Sequence, residues 1–503
     1  MCGIIASYGN GKTDMVRTMM NKIKHRGPDG AGLLRINDTI LGHVRLSIID
    51  IEGGGQPMTN ERDDLAVALN GEIYNHISLR QRLAERHFFK NRSDTEVLLH
   101  LYEDDHVEML NEIDGMFALA MAGRNGLLLA RDPLGIKPLY YGRKKEAFLA
   151  ASEMKAFPPM DELNMLPAGH AMFAGGKPWK FRDPFQPLPS LTSPSLEEVL
   201  PEIRRRLEEA VKKRLMSDVP VGVFLSGGID SSIIAAMMRP YNVNLHTFTA
   251  GMPGAPDLEA ARKVARYLDT EHHELIYSAD DVKKSLPEVI KYLESFDAPL
   301  VRSAVPMYFV SQLASQHVKV VLSGEGADEL FAGYAYLNSF NDHKRLRKEL
   351  SDITLRLQDT NLQRADRMSM AHGLEARVPF LDLDLVRYIS RLPVGLLEQR
   401  SGRPEKWLLR EACKGLIPPN ILRRKKMKFS EGAGSSEVIM ESVGKTISNR
   451  IFRKERNIAP GLELRSPEEL YYYSIWREVM GTHLSPFLVG RTLDKSAATV
   501  RQQ

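Results

Sequence analysis

Cysteine is the second residue of this 503-residue chain and one of only two, Cys2 and Cys413. Removal of Met1 would give Cys2 both a thiol and a free α-amine. An α-amine titrates at roughly 7.7–8.0 and a thiol at about 8.5. The amine can therefore act as general base for its own side chain, the logic of an N-terminal nucleophile. Nearby residues suit a glutamine, which offers a carboxylate, an ammonium and a side-chain amide. Arg45 can grip the carboxylate in a fork and Asp94 can pair with the ammonium. Asn70-Gly71-Glu72 can supply a side-chain amide and a backbone N–H to a tetrahedral oxyanion. Singly, each is an ordinary turn residue, cap or surface charge, and Asn-Gly alone reads as a hairpin turn. Their combination carries the argument.

A second group lies in the middle of the chain. The apolar run Val219–Leu225 leads into Ser226-Gly227-Gly228-Ile229-Asp230-Ser231-Ser232. A glycine-rich turn between strand and helix offers backbone N–H groups to an anion, with the helix dipole behind them. Asp230 can hold a magnesium ion against phosphates. A similar turn, Ser323-Gly324-Glu325-Gly326-Ala327-Asp328-Glu329, follows the run Val318–Leu322. Asp328 is a candidate second magnesium ligand, and Glu325 can order the site or act as a base. No Walker-type glycine-lysine motif occurs. The basic segment Arg423-Arg424-Lys425-Lys426-Met427-Lys428 is by itself an ordinary solvated run; facing a triphosphate, one of its lysines would neutralise charge at the α-phosphate.

These groups need elements to position them. Length allows two to four domains at ~150 residues each. Up to about residue 183 the chain reads as α+β, with short apolar strands (Thr39–Leu41, Leu65–Leu69, Phe117–Met121, Leu127–Ala130, Phe148–Ala150) and helical patches at Asp14–Ile23, His76–Arg86 and Asp94–Asp104. Asn70-Gly71 and Asn125-Gly126 punctuate it as turns. Prolines at 184, 187, 189 and 194 mark a linker over 184–195. From Leu196 to Leu215, apolar residues recur at helical spacing. From 196 to 489 strands and helices alternate, with Leu245–Thr249 as another strand, which argues for a parallel sheet. Beyond about residue 340 the pattern is mainly helical, and 490–503 is a polar tail.

Lys+Arg number 68 against 64 Asp+Glu, a formal charge of +4, too even to argue for a nucleic-acid partner. Two cysteines exclude a disulfide framework or a cysteine-rich zinc site. No apolar run is long enough for a membrane span, and the first residues lack a signal-peptide pattern. A cytoplasmic protein is expected.

Met1-Cys2-Gly3-Ile4, His25-Arg26-Gly27-Pro28-Asp29-Gly30, Arg45-Leu46-Ser47-Ile48, Asn70-Gly71-Glu72-Ile73-Tyr74-Asn75, Arg131-Asp132-Pro133-Leu134-Gly135-Ile136-Lys137 and Ala151-Ser152-Glu153-Met154-Lys155-Ala156 resemble, in order, the class II glutamine amidotransferase domain. The resemblance implies a four-layered αββα glutaminase with Cys2 as nucleophile and Arg45, Ile48, Asn70, Gly71, Glu72 and Asp94 around glutamine. Ser-Gly-Gly-x-Asp-Ser-Ser resembles the pyrophosphate loop of enzymes that cleave ATP between the α- and β-phosphates. Gly373-Leu374-Glu375-Ala376-Arg377-Val378-Pro379-Phe380-Leu381-Asp382 and the basic segment extend this to a resemblance to asparagine synthetases from about 196 to 440. It implies an adenine-nucleotide α-hydrolase-like α/β domain that binds ATP and Mg2+ through Phe224, Leu225, Ser226, Gly227, Gly228, Asp230, Ser231, Ala250, Ser323 and Gly324. Lys426 matches the family lysine, with Lys425 and Lys428 as alternatives, and Glu375, Arg377 and Asp382 become aspartate-site candidates.

By this resemblance, ammonia released from glutamine attacks a β-aspartyl adenylate, yielding asparagine, glutamate, AMP and pyrophosphate. The substrates are glutamine, aspartate and ATP, without nucleic acid or membrane, and the family suggests a homodimer. An amidotransferase of the same architecture acting on another carboxylate, of a peptide or natural product, stays open.

Overall fold

The computed structural model describes residues 2–185, 191, 194–399 and 403–492. Most of the linker's 186–193 stretch, the tail from 493 and Met1 lie outside these residues.

Residues 3–180 build two six-stranded sheets laid face to face. One runs Glu162–Met165, Tyr140–Lys144, Ala147–Ala151, Gly3–Tyr8, Thr39–Arg45, Gly30–Ile36; the other runs Trp179–Lys180, His170–Phe173, Gly126–Arg131, Gly115–Gly123, Ala66–Ile73, Met58–Thr59. Strand alternation decides the layers. In Ala66–Ile73, Ala66 and Ala68 pack between the sheets with Ile4, Ala6, Ala118 and Ala120. Val67 and Leu69 point the other way, into a cluster with Leu79, Leu83, Leu98 and Leu99 of helices His76–Leu83 and Val97–Asp105. Helix Thr13–Lys22 covers the first sheet through Val16 and Met19. The result is the expected αββα order. Asn125 does turn the chain, between Gly115–Gly123 and Gly126–Arg131. Asn70-Gly71 does not: both lie inside Ala66–Ile73, paired with Ala118 and Phe117. Tertiary pairing overrides the local turn signal there.

Helix Leu196–Lys213 opens the second half, with a capping box of Ser195 and Glu198, and buries Val199, Ile203, Leu207 and Val211. Beyond it, five parallel strands lie in the order Glu271–Ile276, His246–Gly251, Val221–Phe224, Val320–Leu322, Glu375–Arg377. The order reverses direction at Val221–Phe224, so its exit loop and that of Val320–Leu322 emerge side by side, the usual place for a ligand crevice. Strand Glu375–Arg377 interrupts the stretch expected to be mainly helical, and a small hairpin, Asn457–Ala459 with Leu462–Glu463, follows later. Among the described residues no helix is long and apolar enough to cross a membrane.

Leu46, Ile48, Tyr74, Met116, Leu134 and Ile136 of the first half pack in one apolar cluster with Val223, Leu225, Leu322, Leu330 and Val378 of the second. The two halves thus share a core.

Candidate functional site

Cys2 is buried at the start of strand Gly3–Tyr8, its amide donating to Asn70 Oδ1 at 3.3 Å and its Sγ 4.0 Å from Leu46 O. Burial pushes its thiol pKa up. Gly71 has φ +154°, and a Cβ there would sit 2.0 Å from Met116 O, so only glycine lets the strand pass here beside Met116. Asp94 lies ahead of helix Val97–Asp105, its Oδ2 accepting the Ile73 amide at 2.8 Å, which ties it to the strand of Asn70 and Glu72. Arg45 is steered by a collar of carbonyls, with Nη1 donating to Ile51 O at 2.9 Å and Nη2 to Asp50 O at 2.7 Å. Gly54 leaves room for it, since a Cβ would meet Nη2 at 2.4 Å. Ile48 is buried and its carbonyl accepts the Asp218 amide at 2.9 Å.

Behind Cys2 stands an ionic cluster that sequence reading missed. Arg26 Nε donates to Cys2 O at 3.0 Å, Nη1 reaches Glu153 Oε1 at 2.7 Å, and Nη1 and Nη2 fork onto Asp366 at 2.8 and 3.0 Å. Arg367, next along helix Asn361–Met370, reaches Glu294 Oε2 at 3.0 Å. Glu294 in turn accepts the Met154 and Lys155 amides at 3.0 and 2.7 Å. Burial opposes ionisation of Glu153, but Lys155, His25, Arg367 and Arg26 hold its carboxyl well below the usual range. From the same helix Arg364 pairs with Glu325 of the second glycine loop.

The two glycine loops touch. A Cβ on Gly324 would fall 2.8 Å from Asp230 Cβ, and Gly227, at φ +66°, lies against the helix of Ala260. Ser226 Oγ and Ser231 Oγ are 3.1 Å apart, Gly228 N donates to Ser226 Oγ at 3.2 Å, and Gly228 caps helix Ile229–Met238. Leu225 N bonds Phe248 O at 2.8 Å, so the ends of strands Val221–Phe224 and His246–Gly251, carrying Phe224 and Ala250, run together towards the loop. Ser323 N donates to Arg377 O at 2.8 Å. Lys406, also missed, lies between the loops, 2.6 Å from Asp230 Oδ2 and 2.7 Å from Asp328 Oδ1, its side chain 1% exposed. Burial works against both carboxylates. It leaves Asp230 raised, whereas Lys406 and Lys426 hold Asp328 down at about 2. Of the three lysines in the basic segment, Lys426 reaches the site, 2.5 Å from Asp328 Oδ1 and 4.0 Å above the Tyr334 ring. Lys428 pairs instead with Glu431, and Lys425 is exposed.

Residues 1–172 match the family model described as a glutamine amidotransferase domain, and residues 202–349 and 338–500 match that described as asparagine synthase. A probable glutamine-hydrolysing asparagine synthetase of Dictyostelium discoideum is 36% identical, over 95% of this chain and 94% of its own length. Asparagine synthetase B of Escherichia coli strain K12 is also 36% identical, over 95% of this chain and 91% of its own. Asparagine synthetase 1 of Arabidopsis thaliana matches at 36%, over 95% and 86%. The chain belongs to the family of glutamine-hydrolysing asparagine synthetases.

In a synthetase of this family, the three aspartate-site candidates lie where the two halves of the chain meet. Glu375 and Arg377 are fully buried, with Arg377 Nε on Glu375 Oε1 at 2.6 Å and Nη1 on the carbonyls of Arg214 and Met216 at 2.7 and 2.6 Å. Arg377 Nη2 lies 3.4 Å from Glu72 Oε1. Burial, then the nearby Glu375, push the Glu72 carboxyl well up, while neighbouring positive charge, overriding burial, holds Glu375 at about 2. Asp382 accepts the Asp384 amide at 3.1 Å at the start of helix Leu383–Arg391 and pairs with Arg214 at 2.9 Å and Lys213 at 3.3 Å. Arg377 thus reaches Glu72 of the first half, and Asp382 shares Lys213 with Asp114 of that half.

Proposed function

We propose that this chain converts aspartate to asparagine at the expense of ATP, with ammonia drawn from glutamine. Residues 1–183 form the glutaminase and 196–489 the synthetase. The carrying observation is that one apolar cluster runs from Leu46, at the Cys2 thiol, to Leu225 and Leu322, at the roots of both nucleotide loops. Ammonia leaving Cys2 in such surroundings stays unprotonated, which it must be to act as a nucleophile.

Glutamine is held by Arg45 at its carboxylate and Asp94 at its ammonium. With Met1 removed, the Cys2 thiol passes its proton to its own α-amine as the sulfur attacks the side-chain amide, Asn70 and the Gly71 amide take the oxyanion, and that proton leaves on the departing ammonia. The thioester then returns glutamate on hydrolysis. At the second site the Ser226–Ser231 loop binds the phosphates released as pyrophosphate. Lys426 and Lys406 offset the charge that grows as the aspartate β-carboxylate attacks the α-phosphate. Glu325, oriented by Arg364, receives the proton that ammonia sheds on attacking the adenylate.

Asp230 and Asp328 are the residues that would hold Mg2+. Asp230 Oδ1 is buried without a hydrogen-bond partner, and two carboxylates beside a phosphate loop suit an ion that takes few protein ligands and fills its shell with phosphate and water. When bound, the ion neutralises the departing pyrophosphate.

The test supplies glutamine, aspartate and Mg-ATP and follows AMP and asparagine together. Both should appear in step, and Cys2→Ala should lose asparagine unless ammonia is added. Glutamate without AMP would discard aspartate as the acceptor.

A further inference from the structure

We propose that Glu61, His87, His100 and Glu103 form a structural site for a transition-metal dication of the zinc class, on the outer helical layer of the first domain. His100 and Glu103 stand one turn apart on helix Val97–Asp105; His87 follows helix His76–Leu83, and Glu61 follows strand Met58–Thr59. One ligand atom from each falls within 4.8 Å of all the others. His100 Nδ1 is 3.2 Å from Glu103 Oε2 and 3.6 Å from Glu61 Oε2, while His87 Nδ1 is 3.7 Å from Glu103 Oε2 and 3.9 Å from Glu61 Oε1. Four ligands around a tetrahedral zinc at about 2.0–2.1 Å stand about 3.4 Å from one another. These four edges lie within about 0.5 Å of that spacing, and the remaining two, inside 4.8 Å, close as the side chains turn onto the ion.

Ion pairing of charged imidazoles would explain the short contacts but not the arrangement of the outward-facing atoms. His87 Nε2 donates to Asp104 Oδ1 at 3.0 Å, the tautomer that leaves the Nδ1 lone pair facing inward. Glu103 Oε1 accepts from Asn60 Nδ2 at 3.0 Å, and Glu61 Oε1 accepts the Phe88 amide at 2.9 Å. Partners of this kind orient metal ligands and tune their basicity. The His100 side chain is 1% exposed, His87 13%, Glu103 18% and Glu61 31%, a graded entrance from solvent to a buried floor. Two imidazoles with two carboxylates and no thiolate suit Zn2+ better than the oxygen-seeking Mg2+ or Ca2+.

The ion would brace the glutamine pocket from outside. The segment after His87 continues through Lys90 and Asn91, whose amides donate to Glu96 at 2.7 and 3.0 Å, and then to Asp94. A second imidazole group, His246, His273 and His317, is more open, and His246 Nδ1 and His273 Nε2 already share a hydrogen bond at 3.0 Å. It stays intact in every variant below, so it cannot produce a difference between them.

The full chain, stripped with a chelator and dialysed, is titrated with Zn2+ at neutral pH, with bound metal and thermal midpoint as readouts. The wild type should hold one more Zn2+ per chain than Glu103→Gln or His100→Gln, and should show a midpoint rise that they lack. Asp104→Asn, which keeps all four ligands, should bind about 10–100-fold more weakly; it carries the test if either ligand variant fails to fold. Equal metal content and equal midpoint shifts in wild type and variants would overturn the site.

Discussion

Arg26 and Asp366, 340 residues apart in sequence, meet in a two-bonded pair at 2.8 and 3.0 Å while Arg26 Nε holds the Cys2 carbonyl. Cys2 of one half is thereby tied, through Arg26, to a carboxylate of the other. Removing one partner of a buried pair costs about 3–5 kcal/mol, because the other charge is left uncompensated. Asp366→Asn should lower the melting midpoint and reduce glutamine-dependent asparagine formation more than ammonia-dependent formation. Parallel loss of both rates would reduce the pair to a purely structural role.

Gly71→Ala tests the strand beside the thiol. With φ +154° and Met116 O in the way, the new methyl must push the Gly71–Phe117 pairing apart. Strain of this kind costs of order 1–3 kcal/mol. Glutamine hydrolysis should vanish while synthesis from added ammonia persists, as steady-state assays with each nitrogen source would show.

Lys406→Met leaves Asp230 and Asp328 facing each other without the cation that now separates them. AMP formation should fall about a hundred- to a thousand-fold, the scale for removing one preorganised charge-stabilising group. Glutamate release at Cys2 should hold. Comparing the two product rates in one reaction separates a nucleotide-site defect from general unfolding.

Glu329 provides a pH test. Burial, aided by Asp328, raises its carboxyl to about 7, and Tyr334 Oη donates to it at 2.5 Å. A folded pKa above the unfolded value of about 4.3 means the protonated form is favoured by folding. Stability associated with this group is therefore present in acid, drains away as pH rises from about 4.3 to about 7, and stays lost above that. Glu329→Gln should be more stable than wild type at alkaline pH by up to about 4 kcal/mol, and the gap should close on acidification. A gap independent of pH would remove Glu329 as its cause.

Much of the candidate site was legible because its residues are local. Asn70-Gly71-Glu72 and Ser226-Gly227-Gly228 are contiguous runs and Cys2 directly follows Met1, so spacing alone singles them out as candidates. The turn reading of Asn70-Gly71 failed because sheet partners 46 and more residues away decide that backbone. Lys406 escaped notice because it is a lone lysine, 176 residues from the Asp230 it touches, and nothing in its neighbours marks a buried cation. Arg364, Asp366 and Arg367 carry no sequence motif, yet all three are buried. Glu375 and Arg377 were visible as a motif, but the sequence does not show that Arg377 pairs with Glu375 and reaches Glu72.

Helix Asn361–Met370 sends Arg364 to Glu325 and, a turn later, Asp366 and Arg367 to the ground behind Cys2. For chimaeras between relatives, the join is therefore not at the proline-rich stretch where the chain passes from one half to the other. A transplanted glutaminase must find the right acid and base on its new host's helix, so Arg26 and Glu153 travel with Asp366 and Arg367 as a single heritable set.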